Sequence, residues 1–432
     1  MKFRNWSRSV EFSPREIVSP SSIEKLQEIV LRSSREQTRV RVVGAGHSFT
    51  PLIETSQTLV RIDELKTIGE CDAAGVVPVG AGVRLWELGP RLRQMGRAQE
   101  NLGDINAQSI AGAISTGTHG TGLSFGAICT QAQWLRVLTA SGELKHWDRD
   151  KDPDAFRAAA TSLGSLGILI EVGLRTVPAY GLECRQFAES LDTALSLFSE
   201  RIRQHRHHEF FWFPHTRTVL SKLSDALADP GREPSKISRF IGDVIVENGV
   251  FELINQTVRM LPSQAPRACR SLAALSRLAG SKTLRGPSDL VFATARLSRF
   301  QEMEYGLPLD NLGLALERIE RFIVDRKIAV SFPVEVRCVK GDDLWISPAQ
   351  GYDSVFMAVH MHHALPFREY FDGVERIFRD LGGRPHWGKL HTLEGKDFQA
   401  LYPRWKDFVD MRSRLDPGGV FLNSHLEKLF GL

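Results

Sequence analysis

The chain has 432 residues, 42% of them hydrophobic and 25% charged, proportions that fit folded globular domains and exclude disordered, collagen-like and disulfide-scaffold classes. That length exceeds one ordinary core, so two domains are expected, each with an apolar interior of its own. Lysine and arginine number 55 against 51 aspartates and glutamates, a net charge of +4 spread without a dense basic tract, which argues against a nucleic-acid partner and only weakly for an anionic ligand.

From the N-terminus, Met1-Lys2-Phe3-Arg4-Asn5-Trp6-Ser7 has no apolar core after its basic residues and does not read as a secretory signal. Ser21-Ser22-Ile23-Glu24 has the form of a capping box, and Ile23, Leu26, Ile29 and Val30 recur at helical spacing, so a helix is predicted to start there. The β-branched run from Arg39 to Val43 predicts a strand ending in the glycine turn Gly44-Ala45-Gly46-His47-Ser48. Strands at Thr58 to Ile62 and Val76 to Val79 follow, then a helix from Leu85 to Met95 bent at Pro90, and a Gly/Ser/Thr-rich segment from Gly103 to Gly122. This part reads as mixed α/β. The texture changes after Val177-Pro178-Ala179, which sets a domain boundary near Pro178.

Beyond it come a helix from Leu191 to Gln204, an aromatic strand from Phe210 to Pro214, a Pro/Ser/Arg-rich region near Leu261 to Pro287, a helix from Leu314 to Asp325, and strands at Val334 to Cys338 and Val355 to His362. Cys71, Cys129, Cys184, Cys269 and Cys338 are far apart and lack Cys-x-x-Cys or zinc spacing, which points to a reduced compartment. No window reaches the ~20 apolar residues of a membrane helix. A cytoplasmic protein without an integral membrane segment is expected.

A strand ending in Gly-x-Gly can open a dinucleotide site of the Rossmann kind, but the third glycine is missing: Phe49 holds its register position and Pro51 follows. The stretch from Asn101 to Gly122 offers unobstructed backbone N–H groups and small hydroxyls, a bed for an extended phosphate and a flat ring, although tight turns between short strands have the same composition. The residues here resemble the FAD-linked oxidoreductases that include vanillyl-alcohol oxidase, and among them the bacterial aldonolactone (L-gulono-1,4-lactone and D-arabinono-1,4-lactone) oxidases and dehydrogenases. Gly44-Ala45-Gly46-His47-Ser48-Phe49 is similar to their Gly-x-Gly-His-Ser-Phe loop, and Ser109 to Gly120 to their Ser-x-Ala-Gly-x-x-x-Thr-Gly-Thr-His-Gly segment. Ser162 to Ile168 resembles a third flavin-side loop, and Arg384-Pro385-His386-Trp387-Gly388-Lys389 a signature near the end.

The resemblance implies an α+β protein: an FAD-binding PCMH-type domain of two α/β subdomains over 1–178, a substrate-binding cap with an antiparallel sheet over 179–390, and a segment over 391–432 returning to the FAD domain. It assigns cofactor contacts to Val43, Gly44, Ala45, Gly46, His47, Ser48, Gly103, Asp104, Ser109, Gly112, Ala113, Thr116, Gly117, Thr118, His119, Gly120, Gly167 and Ile168. It also nominates His47 for a covalent bond to the flavin 8α methyl, with a non-covalent contact as the other reading.

Flavin-dependent alcohol oxidation needs the C–H carbon near flavin N5 and a group to take the hydroxyl proton. Glu335 and Arg337 are two apart on a strand and share a face, as do His360 and His362. Singly, such residues read as solvated surface. Together with Lys389 they resemble the family's substrate pocket: Arg337 and Lys389 stabilise the reduced flavin or an alkoxide, Glu335 orients sugar hydroxyls, and His360 accepts the proton. Asp104 and His362 stand where alditol oxidases carry small hydroxyl residues, which favours an aldono-1,4-lactone over an alditol or other polyol. Gly103 leaves room for dioxygen, with an artificial or protein redox acceptor as the alternative. Two other classes compete. A metal-dependent hydrolase would rest on His205, His207 and His208, or on His360, His362 and His363, neither of which has a matched carboxylate or cysteine, so no metal is expected. A flavin-fold binding module without catalysis is the other.

Overall fold

The computed structural model describes residues 2–229, 256, 258–293 and 298–432. Helix α1 (Ile23–Arg35) starts one residue later than the capping-box reading places it: Ser22 is the cap, its Oγ accepting the Lys25 N–H at 3.3 Å, while Ser21 meets the Lys25 ammonium instead. Leu26 and Val30 are fully buried, so the helical stripe does point inward. It covers a small parallel sheet, β1 (Glu16–Val18), β2 (Val40–Val43) and β3 (Thr58–Arg61), with β3 in the centre.

A four-stranded antiparallel sheet follows, made of β4 (Val76–Gly80), β5 (Ala132–Leu138), β6 (Leu144–Asp148) and β7 (Ile168–Arg175) in the order β4-β7-β5-β6. Helix α2 (Leu85–Gln94) runs through Pro90 and buries Leu85, Leu88 and Leu92. The glycine-rich segment contributes a short helix, α3 (Ile110–Ser115), whose cap is the Ser109 hydroxyl accepting the Gly112 N–H at 3.2 Å.

From Gly181 to Pro385 the strands form one eight-stranded antiparallel sheet: β8 (Gly181–Ser190), β9 (His207–Trp212), β10 (Thr218–Leu227), β11 (Lys282–Pro287), β12 (Phe300–Pro308), β13 (Val334–Val339), β14 (Ser354–His362) and β15 (Arg384–Pro385), in the order β11-β8-β10-β9-β13-β14-β12-β15. Helices α4 (Leu191–Gln204), α5 (Ala265–Leu278), α6 (Leu312–Asp325) and α7 (Arg368–Asp380) pack around it, and α6 begins two residues before the sequence prediction. The centre of the sheet is buried on both faces: every residue of β9, β13 and β14 is buried, charged ones included.

The chain then returns to its beginning. The Val40 N–H donates to Val420 O at 2.7 Å, the buried Arg41 guanidinium donates to Leu52 O, Leu163 O, Gly164 O and Phe421 O, and Asn423 donates to Pro51 O at 2.9 Å. Arg41 is thus the common anchor of three segments, its pKa lowered by burial to about 10 despite the nearby Asp416. All five cysteines are free, and among the described residues no helix is long and apolar enough to cross a membrane.

Of the cluster His205, His207 and His208, the last two lie on β9 inside the sheet. Neighbours on a strand point to opposite faces, so the two cannot share a metal. Burial lowers the pKa of His207 to about 3 and of His208 to about 4, and does the same to His391 (about 4) and His425 (about 3). All four fold as neutral rings and gain protons only on unfolding as the pH drops below their ordinary value. Stability should therefore fall from about pH 6.5 towards pH 4, by up to about 1.4 kcal/mol per pH unit for each proton taken up. Urea unfolding at pH 7, 6 and 5 should show this decline; a flat free energy over that range would contradict the burial of these rings.

Candidate active site

Two adjoining cavities run between the small sheets and the eight-stranded sheet. One is a groove of about 820 Å³ walled by Val43 to Ser48, Ser109, Gly112, Thr116, Gly167 and Ile168, with Arg41 and Gly164 at its side. The other, about 1130 Å³, is walled by His47, Ser48, Gly103, Asp104, Thr116, Thr118 and His119 on one side and Glu335, Arg337, His360 and Lys389 on the other. His47, Ser48, Gln108 and Thr116 line both, so the cavities meet there. Ala113, Gly117, Gly120 and His362 line neither.

The residues off the walls have local structural surroundings. Gly117 turns the chain with φ +68°, and a Cβ on Gly120 would lie 2.4 Å from Leu102 O. His362 is buried beside His363 and accepts the Ala364 N–H through Nδ1. A Cβ on Gly44 would fall 2.1 Å from Ser109 Oγ, which brings the first loop and the glycine-rich segment into contact. Where the cavities meet, the Gln108 amide oxygen is buried and has no hydrogen-bond partner among the described residues. A bare groove floor, a buried Arg41 beside it and an orphaned acceptor at the junction fit an elongated cofactor with a phosphate-bearing end and a flat hydrogen-bonding ring.

His47 is held from two sides. Trp6 N donates to Gly46 O at 2.9 Å and the Asn5 amide to Ser48 O at 2.9 Å, while Trp6 stacks on the imidazole with centroids 5.6 Å apart. On the other side Phe49 N donates to Gly388 O at 2.7 Å and Thr50 Oγ1 to Trp387 O at 3.0 Å, which sets Lys389 against this loop, its ammonium 5.1 Å above the Phe49 ring. Burial, with Lys389 and Arg84 nearby, lowers the His47 pKa to about 4. Its imidazole is neutral at neutral pH.

The opposite wall is a buried charge network. Arg337 donates to Glu335, lies 3.1 Å from Asp104 and donates to Glu209 at 3.2 Å, and Glu209 is 3.1 Å from Lys222. Burial alone would lower the Arg337 pKa, but Glu335, Asp104 and Glu209 raise it well above its ordinary value. On β12, Glu302 lies 2.5 Å from the Lys389 ammonium and 3.5 Å from His360 Nε2, and Glu304 lies 3.3 Å from His119 Nε2. His386 accepts the Gly388 N–H at 3.0 Å and is kept neutral by burial, its pKa lowered to about 3. The His360 Nδ1 faces Pro333 O at 3.4 Å, so an acceptor stands near each of its ring nitrogens.

Trp6, Gln108, Phe300, Glu302, Glu304 and His386 join the wall without having been singled out from sequence. Gln108 lay inside the Asn101–Gly122 stretch and His386 inside the Arg384–Lys389 signature, and both could have been found there. Among the described residues, those close enough to share a metal are His119, Glu304 and His386, and Asp104, Glu209 and Glu335; the latter three already surround Arg337. Neither group is one of the histidine clusters considered from sequence.

Comparison with known proteins gives the family and the fold. Residues 172–429 match the family described as D-arabinono-1,4-lactone oxidase, and residues 14–148 an FAD binding domain. The chain is 36% identical over 428 residues to L-gulono-1,4-lactone dehydrogenase of Mycobacterium tuberculosis, covering 99% of this chain and 98% of that one. It is 30% identical over 436 residues to L-gulonolactone oxidase of Bos taurus, covering 100% and 98%. In fold it is similar to the cholesterol oxidase from B. sterolicum, with a TM-score of 0.84 at 18% identity over 99% of this chain and 96% of that one. The FAD-binding PCMH-type fold follows.

The contact between the two loops can be tested. Gly44→Ala should destabilise the protein by about 1–3 kcal/mol through overpacking and reduce the FAD bound per chain. Gly44→Ala with Ser109→Ala should be less unstable than the two single effects added together. Strict additivity in thermal unfolding would show that the loops do not touch.

Proposed function

The chain belongs to the D-arabinono-1,4-lactone oxidase family, and on that premise we propose that it is an FAD-dependent enzyme oxidising a secondary alcohol of an aldono-1,4-lactone similar to L-gulono-1,4-lactone. The observation that carries this reading is a cofactor-shaped groove opening into a cavity whose cations are already met by carboxylates: Arg337 by Glu335 and Asp104, and Lys389 by Glu302. Among the described residues such a wall offers paired donors and acceptors without a free cation to hold a carboxylate, which suits the hydroxyls and neutral ester of a sugar lactone. FAD, when bound, supplies the hydride acceptor.

Around it, Val43 to Ser48, Ser109, Gly112, Gly167 and Ile168 would hold the elongated part of the cofactor, and Gly103, Thr116, Thr118 and His119 the ring side. Arg337 and Lys389 bring fixed positive charge to the cavity where negative charge develops, an arrangement that costs no reorganisation during the reaction. Glu335 and Asp104 present carboxylate oxygens to the sugar hydroxyls. Anaerobic mixing with a panel of aldonolactones, alditols and free sugars should bleach the flavin with lactones. Bleaching by alditols and not by lactones would overturn the substrate assignment. Reoxidation of the reduced enzyme by air and by cytochrome c, compared directly, identifies the acceptor.

We also propose that His47 carries the cofactor covalently. What supports it is a neutral imidazole, with a lone pair available at neutral pH, fixed by Trp6 at the junction of the two cavities. After acid precipitation the yellow colour should stay with the polypeptide of the native chain and leave that of His47→Ala. Colour that washes away from the native chain would exclude the bond.

A further inference from the structure

Strand β12 carries two buried glutamates on one face, and each meets a histidine of the cavity. Glu302 Oε1 is 3.5 Å from His360 Nε2, whose Nδ1 faces Pro333 O at 3.4 Å; Glu304 Oε1 is 3.3 Å from His119 Nε2, whose Nδ1 is 2.8 Å from Gly120 O. The His360 ring, with an acceptor facing each nitrogen, is best satisfied when both carry hydrogen, whereas His119 Nε2 makes no hydrogen bond among the described residues. Glu302 does more, because its second oxygen is 2.5 Å from the Lys389 ammonium. Its place is fixed by the backbone: Glu302 pairs with His360 in the sheet register, and its carbonyl accepts the Leu390 N–H at 3.0 Å.

We propose that Glu302 is a positioning residue for the oxidation: its two carboxylate oxygens hold the Lys389 ammonium and His360 Nε2 together as one electrostatic clamp on the oxygen where charge develops, and the contact at Nε2 withdraws His360 from service as the base. This rests on the alcohol oxidation proposed above. Burial would raise the Glu302 pKa, but Lys389 and His360 lower it to about 2, so the carboxylate stays ionised through the working range. The other titratable groups facing this cavity are Arg337 and Glu335 on β13, Asp104 and His119 on the glycine-rich segment, and Glu304 beside Glu302; His386 and His47, both kept neutral by burial, complete the wall. Arg337 is engaged by its own carboxylates, which leaves Glu302 as the charge in contact with both Lys389 and His360. A purely stabilising role is a weak alternative, since buried ion pairs commonly add little to stability.

The test compares Glu302→Gln, which removes the charge at nearly constant shape, with Glu302→Asp, which keeps it. Flavin reduction by a lactone under anaerobic conditions should slow by on the order of 10²-fold in Glu302→Gln, with kcat falling more than KM changes. The alkaline limb of its pH profile should move down by at least about one pH unit, the effect of losing a neighbouring opposite charge, while Glu302→Asp keeps the native limb. A second measurement needs no substrate: histidine-ring NMR of the holoenzyme, with His360 identified by His360→Asn, should show its titration midpoint moving down by the same amount in Glu302→Gln. A slow Glu302→Gln with the native pH limb and an unmoved His360 titration overturns the proposal and leaves Glu302 a packing residue. If no lactone reduces the flavin, the functional reading fails, and the NMR titration still decides the role of Glu302.

Discussion

Two hydrogen bonds, Phe49 N to Gly388 O and Thr50 Oγ1 to Trp387 O, join segments more than three hundred residues apart, and the geometry of the site depends on them. They hold the end of the glycine loop to the turn that carries Lys389. The turn is itself anchored, because Trp387 donates to Ile346 O at 2.7 Å and packs into an aromatic cluster with Phe398, Tyr402 and Trp405. From the other side, Asn5 and Trp6 grip the backbone of Gly46 and Ser48. His47 therefore sits on a loop held from both sides. Closing so long a loop carries an entropic cost that grows only slowly with its length, so the long separation is affordable once a packed aromatic base exists.

The wall facing that loop is built against the usual preference for apolar interiors. Charges taken from water cost several kcal/mol each unless they are paired and hydrogen-bonded. Here the pairing is arranged by register. β13 puts Glu335 and Arg337 on one face, β9 brings Glu209 opposite Arg337, and β12 supplies Glu302 and Glu304 beside β14 and the Lys389 turn. A one-residue slip of any of these strands would turn its charges into the core, so the ion network and the sheet register enforce each other.

This explains which parts were legible in the sequence. The glycine loops were, because Gly44, Gly46 and Gly167 answer local backbone and contact demands that only glycine meets. Helix α1 was readable too, though its cap was placed one residue early, since Ser21 and Ser22 present the same chemistry and only the fold chooses between them. Glu302 and Glu304 were not visible. Their alternation with Met303 and Tyr305 is the ordinary pattern of a half-solvated strand, and what buries the polar face is a turn that arrives eighty residues later. The burial of His207 and His208 was hidden for the same reason: only three-dimensional pairing places their strand inside a sheet.

Gly103 shows how one residue type can carry two meanings. The family resemblance attaches it to dioxygen access, yet a Cβ there would lie 2.9 Å from the His119 carbonyl oxygen, so the close approach of the 101–103 turn to the glycine-rich segment already demands glycine. The same approach sets Asp104 within 3.1 Å of Arg337 and leaves His119 over Phe356 with its Nε2 towards Glu304. Substituting alanine would move the His119 backbone before it touched any path for dioxygen. A change of acceptor in a Gly103 variant would therefore carry the signature of a displaced His119–Glu304 contact as well as of a narrowed channel, and the presence of glycine alone does not mark an oxidase.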